Sequence, residues 1–452
     1  MNKIGKIAAC LGIAVLFFVP LSSIESIVAG VQTNVAYVNM EALDGGWLEE
    51  RDGVKILHVS GTDYEMGYQQ GFLLSDEIHA NRRMMFDYFA DAGFSYDTLA
   101  AYWNDMQEYV PENYILEIQG MADGCNASFE EIGVLNIMHD ISNIMQDGGD
   151  ITSCCGAIIW GSATADGELI HLRSGDLTIH LRDAITGTYL QENQALIVRS
   201  PESRYASMSP VWVGMVGSGG GINEKGLAVG ETTCLTDDIT LHGTCAVFRM
   251  GLVLDQADSG AEALTILETN RTMGWDLLVS DANIPQGYIL EQTANASHVC
   301  TWNDTSESTE PFWVIEDVLR RANCFINPEM APLEREYYDI SGIRSALRLV
   351  TGRDSYFGIW KHYVALSKGI ENNWGAMDVN TTMEMYRDVY QGNTDIIFSL
   401  MMKIDWYMPI HQWVACPKTG DMAICFASQD KIASYNPVHY FNLFDLLEAE
   451  PP

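Results

Sequence analysis

The chain has 452 residues, of which 47% are hydrophobic and 19% charged, with a formal net charge of −36. That composition supplies a sizeable core and excludes a disordered chain. The charge disfavours nucleic acid and anionic membrane surfaces as partners; it fits solubility in an exported medium or attraction of a cationic substrate.

Lys3 and Lys6 precede an apolar run from Ile7 to Val19, followed by Pro20 and the small residues Ser22, Ser23, Ala29 and Gly30. This layout predicts a signal peptide over 1–30, or an N-terminal anchor if it is not cleaved. Localisation is then secreted or extracytoplasmic, with membrane contact only through that segment. Lys55 to Ser60 reads as a strand. Tyr64 to Ala92 and Glu112 to Met121 follow a helical period. A third helix opens at Ser128, with Glu131 completing a capping box, and runs to about Met145. The polar turn Gln146 to Thr152 ends this helical N-terminal segment, 31–153. Short strands follow at Gly156–Trp160 and Glu168–Arg173, joined as a hairpin by Ala165-Asp166-Gly167. More strands are expected at 194–199, 211–216 and 226–230. Ser259 and Glu262 form a second capping box for a helix to about Asn270. Strands at 277–280 and 288–291, a mostly helical region over 310–392 and short strands near 395–428 complete the pattern. Hairpins of strands with helices before, between and after predict a layered α+β fold.

Of ten cysteines, nine lie beyond the N-terminal segment, so export would permit disulfides but leave at least one thiol free. Cys234 with Cys245 and Cys416 with Cys425 are spaced like cross-strand pairs. No C-x-x-C occurs, so no metal and no cofactor are expected. There is no G-x-S-x-G elbow, no H-E-x-x-H and no phosphate loop.

The stretch Asp150 to Leu177 puts Cys154 at the entrance of an apolar strand. The returning strand carries Arg173 and Asp176. A thiolate with a guanidinium and a carboxylate beside it could attack an amide carbonyl. Residue types alone also allow Cys154 and Cys155 to be ordinary buried thiols, and Arg173 and Asp176 to form a plain salt bridge. Cys155 is the nucleophile if the register is shifted by one. His139 and His171 flank Cys154 in sequence; either could bind substrate, although each reads first as a packed or solvated histidine.

This segment resembles the nucleophile hairpin of the isopenicillin N acyltransferase-like family, autoproteolytic cysteine Ntn hydrolases related to choloylglycine hydrolases and acid ceramidase. The matching positions are Cys154, Cys155, Gly156, Gly161, Thr164, Asp166, Gly167, Arg173 and Asp176; Ser174 replaces the family's Asn. The likeness continues in His58–Leu73, Glu117–Gly124, Gly221–Gly230, Phe248–Asp281 with Arg249, Tyr288–Glu291 and His411–Ala415. The resemblance implies a four-layer αββα sandwich and a main chain of 154–452, freed by self-cleavage between Ser153 and Cys154. It also implies that Cys154 is the nucleophile, that its new α-amino group is the base, and that Arg173 and Asp176 orient that amine. The two cleaved chains are expected to stay associated. The family's oxyanion donor, an Asn, is replaced here by Asp276, which repels an oxyanion unless protonated. The backbone of Gly217–Gly221 or the side chain of Asn223 are substitutes, although Asn223 also reads as a turn residue. The expected reaction is hydrolysis or transfer of the acyl group of a small acylated amine, an N-acyl amino acid or a peptide-like amide. A lipid amide or ester hydrolase, ceramidase- or phospholipase B-like, and a non-catalytic secreted homologue are the alternatives.

Overall fold

The computed structural model describes residues 38–144, 153–177, 180–335, 356–395 and 409–452. The N-terminal segment 1–30, the turn 146–152 and parts of the expected elements after 310 lie outside them. Among the described residues no helix is long and apolar enough to cross a membrane.

The N-terminal part opens with α1 (Met40–Leu43) and the hairpin β1 (Trp47–Arg51) and β2 (Val54–Gly61). It continues with α2 (Asp63–Leu73), α3 (Ser75–Asp91), α4 (Tyr96–Met106), α5 (Glu112–Cys125) and α6 (Phe129–Ile144). The helical period read from Tyr64 to Ala92 is thus two helices that meet at Leu74. The Ser128–Glu131 capping box forms as read: the Ser128 hydroxyl accepts from the Glu131 amide, and the Glu131 carboxylate accepts from the Ser128 amide.

Nine strands form one sheet in the order β1-β2-β5-β6-β7-β8-β9-β10-β11. The later members are β5 (Gln194–Pro201), β6 (Ser207–Trp212), β7 (Gly220–Asn223), β8 (Leu227–Thr233), β9 (Trp275–Asp281), β10 (Gln286–Gln292) and β11 (Ser297–Cys300). Only β2 and β5 pair parallel, in the register Ile56 with Leu196 through Gly61 with Pro201. The second sheet runs β12-β3-β4-β13-β14-β15, with β3 (Ser153–Ile159), β4 (Ile170–Asp176), β12 (Val318–Arg321), β13 (Pro409–Cys416), β14 (Asp421–Phe426) and β15 (His439–Asn442).

The two sheets pack face to face through β3 and β4 against β8 and β9. Ile158, Trp160, Leu278, Ile289 and Leu319 fill one part of the space between them; Leu196, Ile222, Trp413 and Ile424 fill another. On the outside of the first sheet lie α2, α7 (Ala246–Gln256) and α8 (Gly260–Leu267). On the outside of the second lie α9 (Tyr356–Asn372) and α10 (Val379–Gln391); α11 (Leu443–Leu447) closes the chain. The result is the expected α+β sandwich of four layers, helix–sheet–sheet–helix.

Three local expectations are corrected. Ser259 stands at the N-cap of α8 without a side-chain bond; the Asp281 carboxylate accepts from the Gly260 amide at 2.8 Å instead, and Glu262 reaches the Asp258 amide. Within the region read as helical, Val318–Arg321 is the edge strand β12, paired antiparallel with β3. All nine described cysteines are free thiols. Cys416 pairs across the β13–β14 hairpin with Asp421, and Cys425 with Gln412, so the two do not face each other. Cys245 sits at the start of α7 rather than on a strand opposite Cys234.

Candidate active site

The β3–β4 hairpin sets the site. Its register pairs Ser153 with Asp176, Cys154 with Gly175 and Gly156 with Arg173. Because side chains alternate along a strand, Cys154 and Cys155 face opposite ways. Cys154 lines a pocket together with Arg173, Asp176, His139, Trp212, Met215, Gly219 and His411. Cys155 faces the helices outside the second sheet, where its sulfur lies 3.2 Å from the Tyr386 hydroxyl and 3.5 Å from that of Tyr390. Burial pushes the Cys155 thiol up to about 12, which leaves it an inert packed group. The geometry therefore favours Cys154 over the shifted register.

Arg173 is the hub of the pocket. One guanidinium nitrogen lies 3.8 Å from Cys154 Sγ and also donates to the Glu231 carboxylate, while Nε donates to the Glu231 carbonyl at 3.1 Å. Nη1 donates to His411 Nε2 at 3.1 Å. Burial and then the Arg173 charge lower His411 to about 3, so it is neutral; its Nδ1–H donates to Gln194 Oε1 at 2.7 Å. Glu231, fully buried on β8, also faces His139 Nε2 at 3.5 Å. Burial works against its charge, but Arg173 and the bond from His139 hold its carboxyl below the usual range. Arg173 is thus a buried, doubly paired group and not a surface salt bridge.

Asp176 accepts from the Tyr390 hydroxyl at 2.7 Å, and Tyr390 also meets the Ser174 hydroxyl. Burial raises the Asp176 carboxyl to about 7 despite those bonds. The Cys154 thiol is raised well above its ordinary value by burial and by the Glu231 charge, with Arg173 opposing. In the intact chain the Cys154 thiol is therefore held as S–H, and would need a base to react. The Cys154 amide nitrogen donates to Asn323 Oδ1 at 2.6 Å, and Asn323 Nδ2 donates to the Thr233 carbonyl at 2.9 Å. Asn323 is thus already placed against the nitrogen that becomes an α-amine if the preceding bond is cut.

The structure brings Cys154, Arg173 and Asp176 together; the other two candidates stand elsewhere. Asp276, buried on β9, accepts from Thr232 Oγ1 at 3.2 Å and from the Cys234 thiol at 3.1 Å, and its other oxygen has no hydrogen-bond partner. It does not line the pocket, but Thr232 and Thr233 connect it to Asn323 and so to Cys154. Burial and the opposing Glu291 raise its carboxyl well above the usual range, so Asp276 is a neutral acid. Asn223 spends its side chain on structure: Nδ2 donates to the Leu254 and Ala257 carbonyls, and Oδ1 accepts from the Lys225 and Leu227 amides. It anchors the β7–β8 turn to the end of α7, as the turn reading has it. His171 is packed, stacked on Trp413 and bonded to Ser280 Oγ at 2.8 Å, whereas His139 lines the pocket.

Sequence reasoning missed Glu231, Asn323, Tyr390 and the pairing of His411 with Arg173. One signal was readable: Glu231 is the single charged residue in the otherwise buried run Leu227–Thr233.

Residues 172–347, which begin on β4 beside the pocket, match the family described as acyl-coenzyme A:6-aminopenicillanic acid acyl-transferase. Over that segment the chain is similar to this family. This is the family that the nucleophile hairpin resembles. An uncharacterized protein of Archaeoglobus fulgidus is 22% identical over 370 residues, which are 74% of this chain and 58% of that relative. The chain thus spans less than two thirds of that relative's length. Among solved structures, penicillin V acylase from Agrobacterium tumefaciens is 15% identical with a TM-score of 0.40, covering 64% of this chain and 86% of that one. An acid amidase ortholog of Caenorhabditis elegans that hydrolyses N-acylethanolamines is 12% identical with a TM-score of 0.36, covering 59% and 93%. A conjugated bile acid hydrolase of Clostridium perfringens is 11% identical with a TM-score of 0.34, covering 65% and 93%.

Proposed function

We propose that this protein is an exported cysteine Ntn hydrolase or acyltransferase that acts on small acylated amines after cutting its own backbone between Ser153 and Cys154. One observation carries the reading: a buried, protonated thiol stands beside a fixed guanidinium, with its own backbone nitrogen held by Asn323. Among the described residues, the side chain bonded to that thiol is the Arg173 guanidinium, which donates and is no base. Cleavage before Cys154 creates one, because an α-amino group titrates near about 7.7–8.0. Asn323 and Asp176 would then orient the amine.

The steps follow in order. The amine takes the thiol proton, and the Cys154 sulfur attacks the amide carbonyl. The nitrogen leaving group takes the proton back and departs, which leaves a thioester. Water or a second amine then accepts the acyl group and frees the sulfur. Arg173 steadies the thiolate, since its charge lies 3.8 Å from the sulfur. Asp276 does not line the pocket; through Thr232, Thr233 and Asn323 it would steady the position of the Cys154 nitrogen.

The pocket supports the substrate class. Leu177, Pro210, Val211, Trp212 and Met215 form an apolar wall, opposite Cys154, Arg173 and His139. The apolar wall suits the acyl group, and the polar side suits its amide.

Intact mass under denaturing conditions tests the reading. The wild type is expected as two fragments, the larger beginning at Cys154, and Cys154→Ala as one chain. A single chain in both would remove the α-amine base and favour a non-catalytic homologue.

A further inference from the structure

The edge of the nine-stranded sheet far from β1 carries a second group of reactive side chains. His298 and Cys300 stand two residues apart on β11 and so project to the same face. Asp304 opens the 3₁₀ turn Thr305–Ser308, which folds back against them. One ligand atom from each of the three lies within 4.8 Å of the others.

We infer that His298, Cys300 and Asp304 form a binding site for a zinc-like divalent cation, independent of the reaction at Cys154. His298 Nε2 lies 3.3 Å from Asp304 Oδ2. Two ligands bonded at about 2.0–2.1 Å to a tetrahedral ion stand about 3.3 Å apart, so these atoms are already at the required spacing. The carboxylate is fixed in orientation, because its other oxygen accepts from the Ser306 amide at 2.8 Å. Such outer bonds are what hold metal ligands in place.

The donor set selects the ion. An imidazole, a thiolate and a carboxylate suit zinc, cobalt or nickel and disfavour calcium or magnesium, which take oxygen. A neutral imidazole with two anions also balances a charge of +2. Glu291 is not a fourth ligand. Its Oε1 lies 3.8 Å from Cys300 Sγ but already accepts from Arg321 and from the Ile326 amide. Water takes the fourth position. It has access, since His298 and Asp304 are partly exposed while the sulfur is buried. On binding, the Cys300 S–H bond breaks, a sulfur–metal bond forms and the proton passes to solvent, so affinity rises with pH.

The test titrates cobalt(II) into metal-stripped, reduced full-length protein and reads the thiolate-to-cobalt charge-transfer band and the visible bands of a tetrahedral site. One equivalent is expected to bind in both wild type and Cys154→Ala. Cys300→Ser should lose the charge-transfer band. His298→Ala and Asp304→Asn, each with the thermal melt of the wild type, should weaken binding by about tenfold or more. The absence of a band in the wild type would overturn the site. So would a band that survives in Cys300→Ser, or unchanged affinity in both His298→Ala and Asp304→Asn.

Discussion

Asp276 is set back from the pocket, and its surroundings favour the neutral acid. It is fully buried, faces Glu291 across β9 and β10, and receives bonds only from Thr232 and Cys234. Asp276→Asn keeps a neutral donor of the same shape, so turnover should stay within a few-fold of wild type. Asp276→Leu removes the partner of Thr232 and Cys234 and should lower kcat by about 10–100-fold through the displaced Thr233–Asn323 link to Cys154. Wild-type activity should also fall at a high pH that leaves Asp276→Asn unaffected, because only the acid can ionise there. Rate measurements across pH check both. Asp176 gives a prediction on stability. Its carboxyl is raised to about 7 in the fold from an ordinary value of 3.8. Between those values the folded chain holds a proton that the unfolded chain has lost, so this group's contribution is intact below about pH 4 and declines up to about pH 7. Asp176→Asn lacks that decline. Its stability relative to wild type should rise over the same window, by at most roughly 1.4 kcal/mol per pH unit, in denaturant titrations at several pH values. Cys154, Arg173 and Asp176 were legible because a single hairpin of adjacent sequence sets their spacing. Glu231, Asn323 and Tyr390 meet them only through pairing of elements far apart in the chain, which no local pattern encodes.

Helices α2 and α5 show how much of the element scale the sequence carries. Their glycines, Gly67 and Gly71 on one and Gly120 and Gly124 on the other, look like helix breakers in isolation. In the fold they let two backbones touch: a Cβ on Gly67 would strike the Glu117 carbonyl, and one on Gly120 the Tyr64 carbonyl. The obstacle in each case is main chain, which has no rotamer to yield. Gly120→Ala should therefore destabilise by roughly 1–3 kcal/mol, whereas Leu116→Ala, exposed on the same helix, should stay within about 0.5 kcal/mol. Thermal melting of the two variants checks this. The same contact positions Glu117, whose carboxylate holds Arg199 of β5 at 2.5 and 2.9 Å and ties the helix pair to the sheet. Strand β12 was not legible for the opposite reason. Arg320 and Arg321 make Val318–Arg321 look polar, yet both are fully buried, bonded to Ser367 and Glu291. Polar residues that find partners across the fold hide a strand from any reading based on hydrophobic pattern.

At the scale of the whole molecule, the proposed cleavage between Ser153 and Cys154 would divide the sequence but not the architecture. Residues before Cys154 supply β1 and β2, and β2 is paired in parallel to β5 over six residues. Polar ties cross the same boundary. Arg83 holds Asp183 through two bonds of 2.8 Å, Asn136 holds the Gly214 carbonyl and the Val216 amide, and Asp140 holds Thr272 and the Ala246 amide. The apolar core is continuous as well, running from Trp103 and Ile118 to Val216 and Phe248. Separating the two pieces would expose that core and leave β5 as an unpaired edge, which costs far more than one broken peptide bond returns in chain entropy. A protease site placed within 146–152 of Cys154→Ala isolates this question from self-processing. After cutting, the two fragments should elute together on size exclusion and part only in denaturant, and the 154–452 piece expressed alone should be insoluble. Fragments that separate under native conditions would mean that the N-terminal helices and strands pack more weakly than their burial implies, and a two-chain enzyme would then need another way to hold its first sheet together.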